Sequence, residues 1–159
     1  MKFALCATAL AFGVVLAPLA TASTTKQSVS TFHLVEIDHS FSYVDNPPKG
    51  GSNQPPSAGD SFEFSSELRT PSGKHAGWLY ASCSAVTGGQ SGQSLCLGTF
   101  RLAGGELIAS ATAGNENGPT DIAILGGTKA YAGMRGTVHS VPVGGENSTR
   151  SNDTFRIWK

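Results

Sequence analysis

From about residue 31 to the end of the chain, apolar and polar side chains alternate with a period of two. The runs are short and stop at clusters of Gly, Pro, Asn and Ser. Such alternation belongs to β-strands, whose successive side chains point to opposite faces. No window shows the period of an amphipathic helix. The runs lie near Thr31–Val44, Ser61–Thr70, His75–Val86, Ser94–Leu102, Glu106–Thr112, Asp121–Leu125, Met134–Val141 and Ser151–Trp158. The seventh ends at Val141 because Pro142 has no N–H to give to a ladder. Eight strands in a chain of 159 residues predict one all-β domain, either a sandwich or a closed antiparallel barrel. Closure removes the exposed edges that a sheet protein must otherwise protect.

Composition narrows the function classes. Lys and Arg (11) balance Asp and Glu (11), so there is no basic surplus for a phosphate backbone and no nucleic-acid partner is expected. Residues 1–22 have the form of a secretory signal peptide. Lys2 is followed by an apolar stretch and then by the small residues Ala20-Thr21-Ala22. Gly13 and Pro18 interrupt the stretch before it reaches the length of a membrane span. The sequence therefore predicts an exported domain over residues 23–159, extracellular or periplasmic, with no membrane partner.

Cys6 leaves with the signal peptide, so Cys83 and Cys96 remain as a pair in an oxidising compartment. The turn-rich segment Thr87-Gly88-Gly89-Gln90-Ser91-Gly92 separates them. In a hairpin centred on Gly89 and Gln90, opposed residues have numbers that sum to 179, and these two cysteines meet that condition. A disulfide across the hairpin is expected, and closing a loop of this size stabilises a fold by about 3 kcal/mol. His33, His39, His75 and His139 are scattered, and no metal site is expected from them.

Within the first strand, Phe32, Leu34, Glu36 and Asp38 share one face, and Val35, Ile37, Phe41 and Tyr43 share the other. Both faces carry large apolar groups, which points either to a subunit contact or to packing beneath a loop. The long Pro- and Gly-rich connection from Asn46 to Asp60 is too polar for a core; loops of this length are commonly binding lids or simply mobile.

The stretch Ala123-Ile-Leu-Gly-Gly-Thr-Lys-Ala-Tyr-Ala-Gly-Met-Arg-Gly-Thr-Val138 resembles the hallmark of the allene oxide cyclase and dirigent barrel superfamily. Here an apolar strand leads into Gly-Gly-Thr, then an aromatic, and then spaced glycines that open the next strand. Gly126 and Gly127 are expected to turn the chain tightly, Tyr131 to plug the end, and Gly133 and Gly136 to admit neighbouring backbone. Leu34-Val-Glu-Ile-Asp38 resembles the first strand of plant allene oxide cyclases. Gly59-Asp60 with Phe64 and Leu68, and Gly77 with Cys83, resemble their second and third strands.

The resemblance implies an eight-stranded antiparallel barrel, commonly a homotrimer, around an apolar cavity that holds a hydrophobic small molecule. It implies a cofactor-independent cyclase or isomerase, or a dirigent-like guide of a reactive intermediate. The alternative is a non-catalytic extracellular barrel that carries a ligand or serves a structural role. In the cyclase reading Glu36 is the interior carboxylate and Asp38 orients water or shares its proton, while Phe32, Leu34, Arg101 and Arg135 line the ligand site. In the structural reading Glu36 is an ion-pair partner of an interior Arg101 or Arg135. Plant cyclases have an amide where this chain has Asp38, and their pocket proline and tyrosine have no counterpart here. The resemblance therefore implies the cavity rather than allene oxide cyclisation itself.

Overall fold

The computed structural model describes residues 28–47, 54–114, 118–144 and 148–159. The expected signal peptide and the middle of the 46–60 connection lie outside the described residues. The chain folds as β1 (Val29–Val44), β2 (Ser61–Arg69), β3 (His75–Ala85), β4 (Gln93–Leu102), β5 (Gly105–Gly114), β6 (Thr120–Gly127), β7 (Arg135–Pro142) and β8 (Arg150–Trp158). A single 3₁₀ turn, Lys129–Tyr131, sits between β6 and β7. Each strand pairs antiparallel with the next, and β1 pairs with β8 to close an eight-stranded barrel.

The expected hairpin has the expected register. Val86 N–H donates to the Gln93 carbonyl at 2.7 Å, and Cys83 lies directly opposite Cys96 with a disulfide between them. Both cysteines belong to the inward-facing set of their strands, so the disulfide is built into the inner wall.

In the first strand the strict alternation fails. The β1–β2 register shifts between Asp38 and Ser40, leaving His39 as a bulged residue. Beyond the bulge Phe41 pairs with Phe64 and Tyr43 with Phe62, and directly opposed residues share a face. Phe41 and Tyr43 thus stand at the rim on the side of Phe64 and Phe62, not on the outer face with Val35 and Ile37. The continuous apolar outer face expected of this strand is broken there, and with it the sequence argument for a subunit contact over β1.

The barrel is filled at one end and hollow at the other, as the inward-facing side chains dictate. Toward the β4–β5 turn they are large. Leu34, Leu68, Leu79, Phe100, Leu107 and Phe155 are buried, with Phe155 stacked on Phe32 at 4.6 Å and edge-on to Phe100 at 5.0 Å. Toward the opposite end β3, β4 and β5 contribute Ala81, Gly98, Ala109, Ala111 and Ala113, and the wall recedes. At that open end Asp60 fastens the 46–60 connection. Its carboxylate accepts from the Tyr43 hydroxyl and from the backbone N–H groups of Asn46 (2.9 Å) and Ser57 (2.7 Å). These donors, Tyr43 foremost, hold its pKa below the usual carboxylate value.

In the glycine-rich stretch, Gly127 and Gly136 work by close approach rather than by unusual angles. A Cβ on Gly127 would lie 2.6 Å from both the Glu106 carbonyl oxygen and Tyr131 Cβ, and one on Gly136 would lie 2.1 Å from the Arg156 carbonyl oxygen. Neither glycine has a positive φ; the left-handed positions of this segment are Lys129 (φ 52°) and Gly133 (φ 76°). Gly136→Ala must push β7 from β8 and is expected to destabilise the protein by about 3 kcal/mol in urea unfolding. Gly126→Ala, with no atom within 4 Å of the added Cβ, should cost less than about 1 kcal/mol.

Candidate functional site

The hollow end holds a cavity of about 210 Å³. Phe62, Phe64 and Phe100 supply aromatic surface, the small residues of β3–β5 leave the space open, and Glu36, Ser110, Thr120, Ser140 and Ser151 supply the polar surface. Glu36 enters it because β1 presents even-numbered side chains inward ahead of the bulge. It lies opposite Leu68 on β2 and Ser151 on β8. It is 9% exposed.

Its neighbour beneath the cavity is Asp153, which the register places opposite Leu34 on β1 and Ser140 on β7, diagonal to Glu36. Asp153 is 1% exposed, and neither of its carboxyl oxygens makes a hydrogen bond of full geometry. The same holds for the buried Ser66 hydroxyl. Glu36 and Ser140 nonetheless approach Asp153 closely enough to influence its ionisation.

Among the described residues, no cation balances this pair. Arg101 points outward, with its side chain 65% exposed and its Nε 3.3 Å from Glu106 Oε1; Arg135 is exposed on the outer face of β7. The expectation that these arginines line the ligand site or pair with Glu36 is corrected by parity. Inward positions on β4 and β7 are even-numbered, those of Phe100, Gly98, Val138 and Ser140. Phe32 and Leu34 face inward as expected but belong to the packed end rather than to the cavity wall. Asp38 lies on the Glu36 side of the strand but is exposed at the mouth, where its N–H donates to the Thr149 carbonyl at 2.9 Å. The second acid beside Glu36 is therefore Asp153. The sequence did carry its signal: in Ser151-Asn-Asp-Thr-Phe-Arg-Ile157, Asp153 shares a face with Phe155 and Ile157.

Burial dominates the electrostatics. Desolvation, then the negative charge of Asp153, pushes the Glu36 carboxyl up to about 8; the Ser66 hydroxyl opposes the shift and Asp38 adds to it. Desolvation raises Asp153 as well. Two carboxyls in one apolar space titrate as a unit, and burial favours the state in which the pair keeps a proton. Among the described residues, no group of three or more His, Cys, Asp or Glu side chains is placed to hold a metal ion. The outer surface of β2–β5 carries a separate, shallow groove of about 610 Å³, edged by Tyr80, Leu97 and Ile108, on the far side of the wall from the acids.

No protein-family model matches the chain, and no curated protein matches it. Solved structures do. A pyocyanin demethylase superposes with a TM-score of 0.67 at 23% identity, over 80% of this chain and 99% of its own. A pterocarpan synthase dirigent protein superposes at 0.64 with 16% identity, over 83% of this chain and 84% of its own. The barrel has the dirigent-type fold. A Diels-Alderase from Streptomyces koyangensis shares it too, with a TM-score of 0.60 and 13% identity over 87% of this chain and 72% of its own. At these identities the likeness establishes architecture, and the chemistry of this dirigent-type barrel must be argued from its own side chains.

The acid pair has a measurable consequence for stability. The folded state keeps a proton that the unfolded chain gives up above the ordinary glutamate value of 4.5, so stability falls as pH rises from there to about 8 and levels beyond. Glu36→Gln should flatten most of this slope. Its melting temperature is expected to match the parent within about 2 °C near pH 4 and to exceed it by about 5 °C near pH 8.5. Equal slopes in the two proteins would mean that Glu36 is already ionised in the folded state.

Proposed function

We propose that the barrel holds a hydrophobic small molecule in its lumen and steers a cofactor-independent cyclisation, isomerisation or stereocontrolled coupling, with Glu36 as the catalytic acid–base group and Asp153 positioning its proton. The observation that carries this reading is the uncompensated acid pair at the cavity. Removing two carboxyls from water without a cation destabilises a fold, and a purely structural role would be better served by apolar side chains of similar volume. Catalysis gives such a pair a use: a carboxyl poised near neutrality transfers protons efficiently, and its field acts at full strength in a low-dielectric cavity. The aromatic and alanine walls add confinement, which limits the conformations from which a reactive molecule can proceed.

Neighbours named as a demethylase, a dirigent protein and a Diels-Alderase support small-molecule chemistry in this architecture, though they differ in reaction. Placement in the allene oxide cyclase branch rests on the sequence resemblance alone. Export belongs to the same proposal, supported by the disulfide.

Native mass spectrometry of the protein purified from its natural source is expected to reveal a retained apolar compound of about 150–250 Da, judged from the cavity volume. With that compound, Ala111→Phe should abolish binding by filling the cavity. Glu36→Gln should keep binding within about threefold while lowering turnover or product bias at least 100-fold. Unchanged products with Glu36→Gln would assign the lumen to carriage rather than catalysis.

Assembly as a homotrimer is also part of the proposal. The exposed apolar side chains of the outer groove, Tyr80, Leu97 and Ile108, are the surface such an assembly would cover. Light scattering should return three chain masses, and one chain mass would overturn the trimer.

A further inference from the structure

The imbalance of charge in the cavity also specifies what a ligand must bring. Building on the lumen as a ligand site, we propose that this barrel selects a flat aromatic molecule bearing a cationic nitrogen, seated with the nitrogen against Glu36.

Three observations converge on that class. The first is shape. Phe62, Phe64 and Phe100 supply aromatic surface, and the small residues Ala81, Gly98 and Ala111 beside them leave room for a ring system. A cationic ring gains further from contact with aromatic faces.

The second is the imbalance of donors and acceptors. Glu36 lines the cavity, and neither carboxyl oxygen of Asp153 behind it receives a hydrogen bond of full geometry, although Glu36, Ser140 and, on the Glu36 side, the Ser66 hydroxyl lie close. Against the lone pairs of two carboxyls, the lining hydroxyls of Ser110, Thr120, Ser140 and Ser151 can donate once each. Acceptors are in excess, and buried acceptors without donors are rare in folded proteins.

The third is charge. The groups that face Glu36 are Asp38 along its own strand, Ser66 and Leu68 from β2, Ser151 and Asp153 from β8, and Ser140 from β7 beyond it. The other charged side chains of these strands lie on outward positions: Glu63, Glu67 and Arg69 on β2, Arg135 and His139 on β7, Arg150 and Arg156 on β8. Among the described residues, every ionisable group aimed at the site is an acid. An anionic ligand would meet repulsion strengthened by the low dielectric, whereas a cation supplies the missing countercharge. On entry of the cation the pair gives its proton to solvent, and the carboxylate so formed pairs with the nitrogen; one proton leaves for each molecule bound.

Three bicyclic probes of similar size test this: 4-aminoquinoline as cation, 1-naphthol as neutral analogue and 2-naphthoate as anion. Each is titrated calorimetrically into the full protein between about pH 6 and pH 8. The cation should bind at least tenfold more tightly than 1-naphthol near pH 8 and 2-naphthoate most weakly. Its affinity should fall several-fold per unit toward pH 6, and titration in buffers of different ionisation enthalpy should report about one proton released near pH 6.5. Glu36→Gln should erase the preference for the cation and leave 1-naphthol binding unchanged. Equal affinities for the three probes, or a preference that survives Glu36→Gln, would overturn the cationic class. If 1-naphthol still binds the parent and fails to bind Ala111→Phe, the lumen reading stands without that class. If none of the probes binds, both fall.

Discussion

Pairing of the first strand with the last closes the sheet, and that one ladder also creates the chemistry. It sets Leu34 against Asp153 and Glu36 against Ser151, so two acids that are far apart in sequence become diagonal neighbours on one inner wall. Closure removes the sheet edges and shuts bulk water away from that wall. The desolvation that makes the pair hold a proton is thus a consequence of the topology that makes the barrel stable.

A second division runs along the barrel axis. Large inward side chains fill the end nearest the β4–β5 turn, where Phe155 stacks on Phe32 and meets Phe100 edge-on. Stability comes chiefly from that end, from the ladders around the barrel and from the Cys83–Cys96 cross-link. The other end gives up packing: alanines, a glycine and the acid pair replace side chains that would bury more apolar surface. A well-packed end beside a hollow, electrostatically costly one is the arrangement expected where activity sets local demands against stability. The bulge at His39 belongs to the same division, since it turns Phe41 and Tyr43 toward the rim of the hollow end.

Much of this was legible in the sequence. Period-two alternation located all eight strands, hairpin symmetry placed Cys83 opposite Cys96, and parity turned Glu36 inward. The failures have physical causes. A bulge inserts one residue and reverses parity, and nothing in His39 or its neighbours announces it, so unbroken alternation puts Phe41 and Tyr43 on the wrong face. Arg101 and Arg135 were expected inside because an interior acid invites a counter-ion, yet the parity of their own strands placed them outside. Asp153 could have been found by applying to β8 the rule already applied to β1. Which inward positions enclose the cavity depends on strand stagger around the closed barrel, and a single sequence does not reveal that.

The central claim is that Glu36 and Asp153 share a proton inside the barrel at neutral pH. A carboxyl-carbon NMR titration of protein labelled with ¹³C at Glu and Asp side chains tests it directly, with Glu36→Gln and Asp153→Asn used to assign the signals. The account predicts that the Glu36 signal stays in its protonated position at pH 7 and moves only as the pH approaches about 8. Glu36 and Asp153 signals that both complete their titration near the ordinary carboxylate values, around 4, would contradict it.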